Sequence, residues 1–330
     1  MESKELKNLP KNIHDEMKAN RWRTGAMFLM FPIIILGLTY LGILLAINFS
    51  SDPQIVTTGP IEVANMMMRT IGFWVIVAVF IWSLISYFAG SKMILGYAGA
   101  KPIKKRDNPV LYNAVENISI TAGMPKTPEI YIIEDSSLNA FATGTSPENA
   151  KIAITRGLLE KLSKPEMEAV MAHEVGHVLN RDIRVMLIAV TLLGAIQIIG
   201  EVMLRTAFFR GGGRSSKGNI LPIIGFLFIT IGTLMALLTK FAISREREYL
   251  ADATGGYLVS NPPALASALE KISENSYSEK LKSKATIGSL CIADPTRPSK
   301  LSKAPPQSFW KRIWATHPPA EERIRRLRSY

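Results

Sequence analysis

The chain has 330 residues, 48% of them hydrophobic, a formal net charge of +12 and a single cysteine. Cys291 alone cannot form an internal disulfide, which agrees with a reducing compartment. The positive charge would suit nucleic acid, but much of it flanks long apolar runs, where attraction to anionic lipid is the simpler account. Nucleic acid is therefore not an expected partner, whereas the lipid bilayer is.

In chain order, the runs Thr24 to Phe49 and Thr70 to Ser91 contain no charged residue and are each long enough to cross a bilayer core. Val185 to Gly200 is shorter, but a pairing of Glu201 with Arg205 at i, i+4 carries it to Phe209. Gly218 to Thr239 is again uncharged. Four transmembrane helices are expected. The competing reading, core helices of a soluble domain, fits poorly with runs as long as the first two. Nor does the first resemble a cleaved signal peptide, because it is too long and starts after a polar stretch.

Lys4, Lys7, Lys11, Lys18, Arg21 and Arg23 precede the first span, and Lys92, Lys101, Lys104, Lys105 and Arg106 follow the second. The loop between them carries only Arg69. By the positive-inside rule the N-terminus and residues 92–184 face the cytoplasm. Arg210, Arg214 and Lys217, between the third and fourth spans, run against the rule, as they would if those two spans formed a hairpin that does not cross. Full crossing is the expectation, since it returns residues 240–330, and the C-terminus, to the same side.

The expected layout is thus a cytoplasmic segment and two spans in residues 1–91, the first part of a catalytic domain in 92–184, two spans in 185–239, and the second part in 240–330. Val110, Leu111, Ala114, Val115 and Ile118 mark a helix, while Glu129 to Ile133 and Lys151 to Thr155 read as short strands. Leu138 to Thr143 reads as a further strand whose free edge can pair with an extended peptide, with Asn139, Ala140 and Phe141 as candidate substrate-binding residues. Filling of the core by Leu138 and Phe141 accounts for the same residues equally well.

His173-Glu174-Val175-Gly176-His177 is an H-E-x-x-H sequence within the helical run Pro165 to Leu179. By chance it should occur on the order of once in a hundred chains of this length. One helical turn apart, both imidazoles can reach one metal ion. Glu174, about 100° around the helix, lies beside that face as a candidate general base for a water that zinc acidifies from a pKa near 16 to about 7. Catalytic zinc has three protein ligands and one open position. The extended motif with a further glycine and histidine would need them at 180 and 183, which are Asn180 and Ile183. A carboxylate from a second helix remains, and Ser244 to Ala253 presents Glu248 and Asp252 at i, i+4. One of the pair can bind the metal while the other orients a histidine ring; the spacing does not say which.

Helical spacing continues from Asp252 to Ile272, interrupted at Asn261-Pro262-Pro263. Residues 273–311, rich in Ser, Lys and Pro, read as a long flexible loop or lid. The basic run Arg323 to Arg328 reads as the solvated face of a C-terminal helix with Ile324 and Leu327 turned inward.

Four stretches together resemble the HtpX-type membrane zinc metalloproteases, relatives of the prenyl-protein (CAAX) proteases. They are Asn139 to Gly144, His173 to Asp182, Arg247 to Asp252, and Thr316 to Pro319 with Glu321 to Ile324. The resemblance implies an α+β membrane protein: a mainly helical gluzincin-type metalloprotease domain with a small β-sheet, plus four transmembrane helices. It implies Glu248 as third ligand to one zinc ion, Asp252 as its companion behind the ligands, and His317 as a candidate stabiliser of the transition state. The activity implied is endoproteolysis of misfolded or damaged membrane proteins at the cytoplasmic face of the inner membrane. A prenyl-protein protease and a non-catalytic zinc-binding scaffold are the alternatives. A protease working inside the bilayer is disfavoured, because Lys161, Lys164, Glu166, Glu168, Arg181 and Asp182 flank the motif.

Overall fold

A computed structural model describes residues 13–48, 57–210, 225–231, 245–274, 290–292 and 318–330. They divide into two compact units, one drawn from Met1–Arg23, Ala89–Leu187 and Thr239–Tyr330 and the other from Thr24–Phe88 and Ile188–Leu238.

The second unit is helical. Helix α1 (Ile13–Asn48) contains the first expected span as far as Asn48, Phe49 lying outside the described residues, and α2 (Pro60–Ala98) contains the second. Three segments among the described residues are long and apolar enough to cross a membrane: Arg21–Asn48, Pro60–Ala98 and Asp182–Val202. Of the expected fourth span only residues 225–231 are described, and they are helical; the rest lies outside the described residues. Phe31, Ile35 and Leu38 of α1 bury against Val79, Ile188, Ile196 and Phe228. Trp82 Nε1 donates to the Thr191 carbonyl at 3.3 Å, satisfying an indole N–H where no water is available. Leu29, Ile33, Phe73, Trp74, Phe80 and Phe88 are exposed, as a lipid-facing surface requires. Small residues allow the closest approach: a Cβ on Gly200 would meet Ile229 Cγ1 at 2.7 Å and the Gly225 carbonyl oxygen at 3.1 Å.

The first unit holds a four-stranded sheet: β1 (Ala100–Pro102), β2 (Glu129–Ile133), β3 (Ala140–Thr143) and β4 (Lys151–Thr155), in the order β1-β2-β4-β3. β2 and β4 are parallel, with Ile130 opposite Ile152; β1 and β3 are antiparallel to their neighbours. Gly99, at φ +72, ends α2 and turns the chain into β1, a three-residue strand too short to show an alternating pattern. Between β1 and β2 lies α3 (Pro109–Thr121), capped by the Asn108 side chain, which accepts from Leu111 N–H at 3.0 Å. The short helix α4 (Arg156–Lys161) follows β4.

Helix α5 (Lys164–Leu179) carries the H-E-x-x-H sequence and is buried along nearly its whole length. Met167, Ala169, Val170, Met171, Ala172, Val175 and Val178 join residues of the sheet, α3 and the later helices in one core, so the helix is apolar on several faces rather than along one stripe. After Asn180 the chain turns through Arg181, at φ +58, and enters α6 (Asp182–Arg210). Helices α7 (Arg245–Leu258) and α8 (Pro262–Glu274) are separated at Ser260, φ +51, and Asn261, whose side chain accepts from Ala264 N–H at 3.2 Å. The last helix is α9 (Ala320–Leu327).

Two contacts fix α5. Its N-terminal Glu166 accepts from Ser163 N–H at 2.8 Å, Ser267 Oγ at 2.5 Å and Lys271 Nζ at 2.7 Å, tying the start of α5 to α8. Burial works to raise this carboxyl, but the bonds from Lys271, Ser267 and Ser163 outweigh it and bring it down to about 2. Further along, α7 crosses α5 through glycine: a Cβ on Gly255 would lie 2.8 Å from the backbone nitrogen of His173, and one on Gly176 would lie 3.3 Å from the Ala251 carbonyl oxygen.

Gly255→Ala forces the two helices apart and is expected to destabilise the protein by about 1–3 kcal/mol. Thermal unfolding in detergent reads this as a lower Tm, and an unchanged Tm would show that the crossing can widen without cost. Glu166 makes a pH-dependent contribution, because its folded value of about 2 lies below the ordinary 4.5. The stabilisation is complete above the ordinary value and is lost as pH falls toward the folded one. The Tm gap between wild type and Glu166→Gln is therefore expected to be widest above about pH 5 and to close as pH falls toward about 2; a gap independent of pH would contradict this.

Candidate active site

α5 supplies His173, Glu174 and His177, and α7 supplies Glu248 and Asp252. The Nε2 atoms of the two histidines are 3.2 Å apart, and Glu248 Oε1 is 3.5 Å from His177 Nε2. One ligand atom from each of His173, His177 and Glu248 falls within 4.8 Å of the others. The imidazole planes stand at 87° to one another, so the two rings reach the shared point from different directions.

Behind each ring sits a carboxylate. Asp252 Oδ1 is 3.0 Å from His173 Nδ1, and Asp182 Oδ2 is 3.1 Å from His177 Nδ1. A carboxylate at Nδ1 favours the tautomer protonated there and leaves the Nε2 lone pair directed at the common point. The left-handed turn at Arg181 is what brings Asp182 back beside His177. Arg247 Nη1 lies 3.4 Å from Asp182 Oδ1. Arg323, from α9, donates through Nε to Asp252 Oδ2 at 2.8 Å and through Nη2 to Asp252 Oδ1 at 2.7 Å, and its Nη1 lies 3.3 Å from Glu248 Oε2.

This cluster has a charge surplus. Glu174, Asp182, Glu248 and Asp252 are all buried, and the buried cations among them are Arg247 and Arg323. Among the described residues, with every carboxylate ionised and both imidazoles neutral, the acids outnumber the two guanidinium groups. Burial works to lower the proton affinity of His177, yet the Asp182 hydrogen bond and the charges of Glu248, Asp182 and Glu174 draw its pKa up to about 9. The site thus favours positive charge, and converging nitrogen and oxygen donors among buried carboxylates fit a divalent cation.

Burial raises the Glu174 carboxyl above the usual carboxylate range, against the opposing pull of His173 and His177. Its carboxylate also takes a backbone hydrogen bond from Ala142. In β3 the bond from Thr155 N–H to Asn139 C=O, 2.9 Å, fixes the phase of the ladder and turns the amide groups of Ala140 and Ala142 away from β4. Ala140 C=O accepts from Ile292 N–H at 2.9 Å, and Ala140 N–H donates to Asn139 Oδ1 at 3.1 Å. Phe141 is 1% exposed, so its side chain fills the interior. Of the strand, Ala142 lines the cleft beside Glu174, His177 and Glu248; Ile183, Met186 and Cys291 add apolar wall.

His173, His177, Glu248, Glu174 and Asp252 are therefore brought together, whereas Asn139, Ala140 and Phe141 stand behind the cleft wall. His317 and most of the expected loop 273–311 lie outside the described residues. The expected solvated face of α9 needs correction: Ile324 and Leu327 are buried and Arg325, Arg326 and Arg328 exposed, but Arg323 is 2% exposed and points into the site. Its position four residues before Leu327, on the inward face, is the signal that places it there. Asp182 carries no comparable signal, because the turn at Arg181 breaks the helical spacing from His177.

The model of peptidase family M48 matches residues 105–330. The chain is 34% identical over 323 residues to "Protease HtpX homolog" of Bacteroides fragilis, covering 96% of this chain and 98% of that protein. To the protein of the same name from Tropheryma whipplei it is 42% identical over 248 residues, 75% of this chain and 81% of the other. The crystal structure of S. mikatae Ste24p aligns at a TM-score of 0.44 and 20% identity over 93% of this chain and 66% of that one, a likeness too low to bear on the fold. With a family match over most of its length and relatives aligned nearly end to end, the chain belongs to peptidase family M48.

Proposed function

We propose that this chain is a zinc-dependent endopeptidase that hydrolyses peptide bonds of misfolded or damaged membrane proteins at the cytoplasmic face of the cell membrane. The observation that carries the reading is the convergence of one ligand atom each from His173, His177 and Glu248 within 4.8 Å of one another, with Glu174 buried on the helix of the two histidines. Those three residues hold the metal. When bound, zinc polarises a peptide carbonyl and increases the acidity of water.

The chain's own groups do the rest. Glu174 takes a proton from the attacking water and delivers it to the leaving amine; burial, which raises its proton affinity, favours the first half of that transfer. Ala142 N–H holds the carboxylate in place. Asp182 and Asp252 fix the histidine rings. An extended substrate pairs with the outward Ala142 carbonyl of β3, which places its scissile bond along the cleft and reads little of its sequence. His317 is the proposed donor to the developing oxyanion.

The name "Protease HtpX homolog" carried by the relatives supports peptide hydrolysis. The basic residues at 92–106 support a cytoplasmic active site, and the three apolar helices support membrane residence, which puts unfolded membrane proteins within reach. Purified in detergent and supplied with zinc, the wild type is expected to cleave an unfolded test protein. Glu174→Gln should bind zinc equally well yet cut about 10²–10⁴-fold more slowly. Equal cleavage by the variant would overturn the assignment of the base, and zinc binding by both with cleavage by neither would favour a non-catalytic role.

A further inference from the structure

We propose that Arg323 is a positioning residue of the metal centre, and that tight metal binding depends on the docked C-terminal helix that carries it. The inference rests on the reading of His173, His177 and Glu248 as ligands.

A guanidinium is costly to bury unless every direction of its fork is answered. Arg323 is buried at 2% exposure, and its partners account for the fork. Nε and Nη2 grip both oxygens of Asp252 at 2.8 and 2.7 Å, Nη1 faces Glu248 Oε2 at 3.3 Å, and Nη1 also reaches the Ile292 carbonyl at 3.4 Å. Nη2 lies 3.4 Å from His173 Nε2, so the group stands at the edge of the ligand cluster itself.

These contacts assign the carboxylate oxygens. With Oε2 of Glu248 turned to Arg323, Oε1 is the one facing His177 Nε2. Asp252 Oδ1 lies 2.7 Å from Arg323 Nη2 and 3.0 Å from His173 Nδ1, so the guanidinium holds the carboxylate that stands behind the ring. Glu248 and Asp252 are neighbours on one face of α7, where two carboxylates repel each other. A single guanidinium between them removes that repulsion and selects one rotamer of each. Lysine, a point charge without the planar fork, cannot reproduce this.

Arg323 is held there from outside the site. Ile324 and Leu327 of α9 are buried in the core, the Arg326 guanidinium stacks 3.7 Å from the Tyr249 ring centre, and Arg328 pairs with Glu270 at 2.6 Å. The last helix of the chain is thereby coupled to the metal ligands of α7.

The test uses the full chain in detergent, stripped of metal and titrated with zinc against a chromophoric chelator, with the cobalt-substituted form read by its visible absorption bands. Arg323→Lys is expected to bind zinc about 10–100-fold more weakly and to shift the cobalt bands, with the Tm of the metal-free protein little changed. Zinc affinity within about 2-fold of wild type together with an unchanged cobalt spectrum would overturn the proposal. Should Arg323→Lys fail to fold, the cycle of Arg323→Gln, Asp252→Asn and the double variant decides. If Arg323 acts through Asp252 the double variant loses no more affinity than the worse single, and additive losses contradict it. His173→Ala separates the premises: wild-type zinc affinity there refutes the ligand reading itself, whereas loss of zinc there with retention in the Arg323 variants refutes only the role of Arg323.

Discussion

A surplus of buried negative charge around two imidazoles is the constraint on which the rest of the catalytic unit depends. Ionised carboxylates survive in a low-dielectric interior only when cations and hydrogen bonds answer them. Here Asp182, Glu248 and Asp252 are interlocked with two guanidinium groups and two histidines by contacts of 2.7 to 3.5 Å, and Glu174 is buried beside them. Among the described residues the acids outnumber the guanidinium groups, which suits a divalent cation. Each feature of the local fold serves to hold those groups at those distances: α5 is embedded in the core, its first turn is anchored through Glu166, and glycine at 255 lets α7 approach the backbone of His173.

Backbone geometry does as much as side chains. The left-handed turn at Arg181 is an uncommon conformation for a residue with a side chain, and it brings Asp182 to within 3.1 Å of His177. In β3 the phase of the antiparallel ladder directs Ala142 toward the cleft, where its N–H fixes Glu174, while Phe141 fills the interior. The strand that forms the cleft wall therefore also holds the proposed base. A chain segment far along the sequence, at Ile292, takes the neighbouring carbonyl of Ala140. In the proposed mode of substrate binding, the outward group left to a peptide is the Ala142 carbonyl.

Much of the site was legible because its chemistry sits at helical spacing. His173 with His177 and Glu248 with Asp252 are each one turn apart, and only their convergence required a structure. The strands at 129–133 and 151–155 were readable from their β-branched runs, and the apolar spans at 24–49 and 70–91 from length alone. What spacing did not reveal depends on reversal or distance along the chain. Asp182 follows a turn that no helical period describes, β1 is too short to alternate, and the partners of Glu166 at Ser267 and Lys271 come from another helix. Arg323 is instructive because composition misleads: in a run of arginines it reads as solvated surface, and only its shared face with Leu327 sets it apart.

The account stands or falls on the ligand set. X-ray absorption at the zinc edge of protein purified from membranes tests it directly. Two imidazole nitrogens at about 2.0–2.1 Å and carboxylate or water oxygen at about 2.0–2.2 Å are the expected first coordination sphere. A sulfur ligand at about 2.3 Å, which would bring in Cys291, or the absence of stoichiometric metal would contradict it.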